Sequence, residues 1–269
     1  MASSTSPHGE DIEVLVSVMA YPAISTQMGE VVCLAGFRVD KLWQPDWVRL
    51  FPFHVRQMPS DIRVHKWDIV RLKARSTSKD SRPESLAPDM DSLQIVGHLD
   101  TKRNWQDRRV LVDPHRGKTM RDLEGAHIES GKTLGVVEPG DILDIEVKRR
   151  PRSELDEANQ KAKEATLQGD LFSMDDREPL EPVPFDFHLL FRYPDEVEPR
   201  RLKIIDWEIN QAFRRNRRDG YTDPENRVRE HWLDVVLGPK SDPALFVGNQ
   251  KRFPEQWLLL GIFWPRRGQ

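Results

Sequence analysis

Apolar positions in the first hundred residues fall into short runs that read as strands. The segments IEVLVSVMAY (12–21), EVVCLAGFRV (30–39), DWVRLFPFHV (46–55), WDIVRLKARS (67–76) and SLQIVGHL (92–99) are rich in β-branched and aromatic residues. They are separated by Pro, Gly and Asp signals. Within WVRLF, alternation puts Trp47, Arg49 and Phe51 on one face and Val48 and Leu50 on the other. Such strands without a long helical period predict a small barrel of the OB or SH3 kind. A second β-rich group comprises RVLVDP (109–114), LGVVEPGDILDIEVKR (134–149), FDFHLLFRY (185–193), RLKIID (201–206) and ALFVGNQKRFPEQWLLLGIFWP (244–265). The last of these reads as two strands about a connection holding Pro254.

The remaining periodicity is helical. Ser153 with Asp156 starts SELDEANQKAKEATLQ, a polar helix with little apolar face. Asp206 caps WEINQAFRRNRR, which Gly220 follows. Asp223 and Pro224 start a third helix with Val228, Trp232, Val235 and Val236 on one stripe, ended by Gly238. The expected chain is mostly β with α: two OB-like small β-barrels with a helical insertion in the second half. Its layout is a disordered tail (1–11), a first barrel (12–100), the start of a second β-rich domain (101–148), a polar helix and acidic linker (149–184), and the remainder of the second domain with two helices (185–269).

Composition narrows the classes. The chain is 38% hydrophobic with 8 Trp and 11 Phe, enough for a core, yet no apolar run nears the roughly 18 residues that span a bilayer. The start, MASSTSPHGED, lacks the features of a signal peptide, and Cys33 is the only cysteine, which excludes an intrachain disulfide and a thiolate zinc cluster. A cytoplasmic protein without membrane partners is expected, with Cys33 as a buried, inert thiol. The histidines are scattered and there is no Gly-x-Ser-x-Gly. No cofactor, metal site or catalytic residue is implied. Two Gly-Lys-Thr tripeptides, at 117–119 and 131–133, lack the earlier glycine of a Walker loop, having Val112 and Ala126 there. Glu146-x-Lys148 with Asp113 resembles a nuclease metal site in residue type, but alternating charge on a solvated strand is the preferred explanation of the triplet.

Charge changes the picture more. The net charge of −3 hides a local +5 over 200–218 and +4 over 100–121, against −5 over 152–182. On a helical wheel Ile209 and Phe213 share one face, Arg214, Arg215 and Arg218 lie on the opposite arc, and Arg217 flanks the apolar face. One or two arginines would satisfy a helix C-terminus, and four offer planar donors to phosphate. The segment KRNWQDRR adds Arg103, Arg108 and Arg109 around Trp105, a mixture of charge and stacking that single-strand binders use. A solvated charged surface is the plain alternative for both.

The succession of Cys33–Gly36, Trp47–Arg49, LGVVEPGDILDIEV, IIDWEI and the terminal LFVGNQKRFPEQWLLLGIFWP resembles bacterial dual OB-containing domain proteins over most of residues 12–265. The stretch SVMAYPAISTQMGE before Cys33 departs from the lysine- and glycine-rich approach of that family. The resemblance implies two small barrels, nucleic-acid binding, an association with prokaryotic conflict systems, and no established catalytic residues. Separately, Gln168, Leu171 and Phe172 in QGDLF look like the pentapeptide by which bacterial replication and repair proteins bind the DNA sliding clamp, the plainer alternative being that Leu171 and Phe172 fold back to cover the polar helix. The leading expectation is thus a nucleic-acid-binding accessory protein acting on single-stranded DNA or RNA. A protein-interaction adaptor in a defence operon and a metal-dependent nuclease are the alternatives.

Overall fold

The alternation in the first hundred residues produces β1 (Glu10–Met19), β2 (Ala23–Ser25), β3 (Gly29–Arg38), β4 (Trp47–Phe53), β5 (Asp68–Arg75), β6 (Ser85–Pro88) and β7 (Gln94–His98). The computed structural model describes residues 9–25, 28–41, 46–59, 61–170 and 179–268, with backbone alone for 166–170. Strands β1, β3, β4, β6 and β5 pair in that order, and β5 returns to β1, closing a five-stranded barrel. The β4–β6 pair is parallel, whereas β1–β3, β1–β5, β3–β4 and β5–β6 are antiparallel. Inward residues Val14, Val16, Leu34, Leu50, Val70 and Leu72 fill the barrel. Gly36 permits β3 to cross β1 closely, because a Cβ there would lie 1.8 Å from the Leu15 carbonyl oxygen.

The second half contributes α1 (Lys102–Val112), α2 (Met120–Ser130), β8 (Leu134–Val137), β9 (Asp141–Arg149), α3 (Arg152–Asp170), β10 (Phe185–Arg192), β11 (Arg200–Ile204), α4 (Trp207–Arg218), α5 (Pro224–His231), β12 (Ala244–Asn249) and β13 (Trp257–Phe263). Its sheet runs β8-β12-β13-β11-β10-β9, again with one parallel pair, β11–β13. β8 and β9 are two pieces of one strand broken at Glu138-Pro139-Gly140, so the sheet begins and ends on a single chain segment. Counting β8 and β9 together, the strand order repeats that of the first barrel. Helix α3 is inserted after the first strand, and α4 and α5 lie between the third and fourth. The expected architecture of two OB-like barrels with a helical insertion is the observed one.

Three segments differ from the reading of the sequence. RVLVDP is the end of α1 and a 3-10 turn (Asp113–His115), not a strand. Val112 is buried and Val110 is 67% exposed, so the short apolar alternation lies on a helix with one covered face. Helix α2 was unforeseen, although Thr119 and Asp122 form a capping box and Gly131, at φ 71°, ends it. The end of the predicted acidic linker is also packed: Leu180 and Val183 are buried.

The barrels share an apolar interface. Outward residues of the first barrel, among them Leu15, Phe37, Trp47 and Trp67, meet Leu134, Phe246, Leu260 and Phe263 of the second. This contact covers the outer face of β3 and β4, which is why their sequences are apolar on both sides. Within it the buried Arg49 donates to Thr133 Oγ1 at 2.9 Å, and Thr133 donates through N and Oγ1 to Glu84, each at 2.7 Å. The charge of Arg49 is thereby linked to a carboxylate through one threonine.

Candidate nucleic-acid interface

The start of α4 is fixed from both barrels. Asp206 Oδ1 accepts from the Glu208 N–H at 2.9 Å, the predicted cap, and Lys66 Nζ of the first barrel lies 3.1 Å from Asp206 Oδ2. Tyr21 N–H donates to the Ile205 carbonyl at 2.7 Å. Ile209 and Phe213 are buried in the second core, and Trp207 packs on the first barrel's core and on Tyr21. With that face committed, the opposite arc is left outward. Arg214, Arg215, Arg217 and Arg218 line one open groove of about 650 Å³ together with Gln211 and Glu181.

Inside the groove Arg217 pairs with Glu181, Arg218 lies 3.8 Å from Asp219, and Arg214 adjoins the Tyr21 hydroxyl. Arg215 is exposed and makes no ion pair among the described residues. The Tyr21 hydroxyl also donates to the Glu181 carbonyl at 3.1 Å. Across this contact lies a second cavity, of about 580 Å³, with Lys161 on α3, Tyr21 to Ile24 of the first barrel, and Asp186 and Lys203 on β10 and β11 in its walls.

In OB folds the outer face of the second and third strands carries the ligand. The corresponding face in the second barrel is that of β10 and β11. Its outward side chains form cross-strand pairs: Arg201 with Glu146 at 2.7 Å and Lys203 with Asp186 at 2.9 Å. His188 sits between them, buried, with Nδ1 unpartnered. Burial, aided by Arg201, pushes its imidazole down to about 4. The corresponding face of the first barrel is β3–β4, already covered by the second barrel.

The structure therefore brings together the four arginines of α4 and leaves the 103–109 group elsewhere. Arg103, Asn104 and Trp105 form a left-handed turn, with φ of 49°, 53° and 64°. Arg103 is exposed but pairs with Asp107 at 3.1 Å. Trp105 is half-buried against Trp67, Phe263 and Trp264, with ring centroids 5.4–6.0 Å away. The Arg108 guanidinium lies over Trp67 and Trp105 and donates to the Leu99 carbonyl at 2.8 Å; burial pushes it down to about 10. Arg109 bonds the carbonyls of Asn104 and Arg266 and adjoins Asp113 and Asp242. These groups brace the joint between barrels, and Arg108 feels Glu208 at the opposite end of α4 from the arginine cluster.

Asp113 takes part in ion pairs with Arg109 and Arg116, and Glu146 in one with Arg201. Among the described residues no group of three or more His, Cys, Asp or Glu could hold a metal ion. Leu171 and Phe172 of the QGDLF pentapeptide lie outside the described residues, and the Gln168 side chain is outside them too. No helix among the described residues is long and apolar enough to cross a membrane. Reading the sequence missed Arg201, Lys203 and His188, although alternation in FDFHLLFR places His188 and Asp186 opposite the core residue Phe187.

No curated protein matches this chain. Residues 10–114 match a domain of unknown function (DUF8758), the first barrel with α1. The second barrel and its helices, residues 116–269, match another domain of unknown function (DUF8757), and the chain belongs to that family.

Proposed function

We propose that this protein is a nucleic-acid-binding accessory protein, holding single-stranded DNA or RNA along the arginine groove of α4. The supporting observation is the convergence of Arg214, Arg215, Arg217 and Arg218 on one open groove beside the ligand face of an OB-like barrel. Arginine forks supply bidentate donors to phosphate oxygens, and four phosphate contacts predict a log K against log salt slope of about −3. Titration of labelled single-stranded DNA and RNA across salt concentrations tests this. Binding that weakens with that slope supports the reading; binding that salt leaves unchanged, or none at low salt, rejects it. The role would be in a bacterial genome-maintenance or defence system, a reading that the resemblance to dual OB-containing proteins supports. QGDLF would recruit the protein to the DNA sliding clamp. Loss of clamp binding in a Leu171→Ala/Phe172→Ala protein of unchanged thermal stability supports that recruitment, whereas unchanged clamp binding removes it.

A further inference from the structure

The two Gly-Lys-Thr tripeptides, 14 positions apart in register, flank the same helix. Gly117, at φ 78°, leads Lys118 to the start of α2, and Gly131, at φ 71°, leads Lys132 away from its end. Both lysines line one cavity of about 440 Å³, with His115, Trp47 and Asp122 in its wall. Two features of this cavity are unbalanced. Neither lysine forms an ion pair among the described residues, and His115 Nε2 is buried without a partner. Of the carboxylates around the cavity, Asp122 and Glu84 are bonded to threonines, and Asp46 is the one whose charge reaches both Lys132 and His115. Asp122 accepts from Thr119 N–H at 2.7 Å and Oγ1 at 2.8 Å, and Glu84 accepts from Thr133. Burial and the neighbouring Lys118 together hold the Lys132 ammonium below its ordinary range, and burial with both lysines depresses His115.

We infer that this cavity binds a phosphorylated anion, with Lys118 and Lys132 neutralising its phosphoryl oxygens and His115 Nε2 donating a hydrogen bond. Glu84 and Asp46 only partly offset the repulsion between the two lysines, and a polyvalent anion between them removes it. Two ammonium groups lining one cavity match the multiple negative charges of a phosphoryl group. This is not a Walker loop: Lys132 leads into β8, and of the first donors of α2 the Met120 N–H is taken by the Tyr193 hydroxyl and the Asp122 N–H by Thr119 Oγ1. The site lies apart from α4 and does not depend on the α4 groove.

Calorimetry with pyrophosphate and with adenosine diphosphate at low salt tests it. Both should bind the wild type, and Lys118→Gln/Lys132→Gln should weaken both at least tenfold with an unchanged thermal midpoint, while Lys240→Gln on exposed surface elsewhere leaves them unaltered. A third arm compares a 5′-phosphorylated oligonucleotide with its 5′-hydroxyl twin. A lysine-dependent preference for the phosphorylated end assigns the site to strand ends, and equal binding assigns it to free nucleotides. Failure of pyrophosphate and adenosine diphosphate to bind the wild type, or equal binding to the double variant, overturns the site.

Discussion

Lys66 and Asp206, 140 residues apart, meet at 3.1 Å where the two barrels join, and the same carboxylate caps α4. Asp206 is fully buried and the Lys66 side chain is 8% exposed, so neither charge has water to fall back on. Lys66→Met is expected to cost about 3–5 kcal/mol by leaving Asp206 unpaired. The double variant Lys66→Met/Asp206→Asn should cost less than the sum of the single changes. Urea unfolding of the four proteins measures both quantities.

Arg108 and Arg215 should separate stability from binding. Arg108→Ala empties the space over Trp67 and Trp105 and strands the Leu99 carbonyl, an expected loss of about 2–3 kcal/mol. Arg215→Ala touches only solvent-facing surface and should stay within about 0.5 kcal/mol of the wild type. On single-stranded DNA the order should reverse, with Arg215→Ala weaker and Arg108→Ala near the wild type. Paired melting and binding curves give the answer.

His188 sets an acid limit on stability. Its folded-state pKa is about 4, below the ordinary 6.5, so the unfolded chain binds the extra proton between those values. Its contribution is complete above pH 6.5 and declines as pH falls toward 4, by up to about 3 kcal/mol. A His188→Leu protein should show a shallower loss of urea midpoint over that window, provided its change at pH 7.5 is subtracted.

Two glycines should respond oppositely to alanine. At Gly140, in the break between β8 and β9, a Cβ would lie 2.1 Å from the Arg192 carbonyl oxygen. Gly140→Ala must shift that backbone and is expected to cost more than about 3 kcal/mol. Gly125 lies inside α2 with nothing within 4 Å of its Cβ position. There alanine should stabilise by about 0.5–1 kcal/mol. Thermal melts of the two variants compare them directly.

Most barrel strands were legible because each carries a compact run of β-branched residues bounded by turn signals. The side on which Trp47 and Arg49 lie was also legible from alternation. What covers that side was not, since Thr133 lies 84 residues from Arg49 and Phe246 and Phe263 lie farther still along the chain. The same reason separates the two basic segments. The arginines of α4 oppose Ile209 and Phe213 on one helix, so a helical wheel suffices to place them. Trp105 looked free to stack only because Trp67, Phe263 and Trp264 are invisible from its own neighbourhood. Helix α2 carried its capping signals in plain sight, but its glycines read more simply as loop positions.

The apolar joint also bears on how the protein meets a long ligand. Two beads on a string would each explore their own orientation, and a polymer touching both would have to freeze that freedom. Here Phe37, Trp47 and Trp67 of one barrel share a single buried apolar cluster with Phe246 and Phe263 of the other, which opposes independent reorientation. A strand running from the α4 groove toward the first barrel would therefore encounter a ruler whose spacing was set during folding. Cutting the chain near residue 115 would destroy that ruler and expose an aromatic surface on each piece, so the two family domains are halves of a single working part.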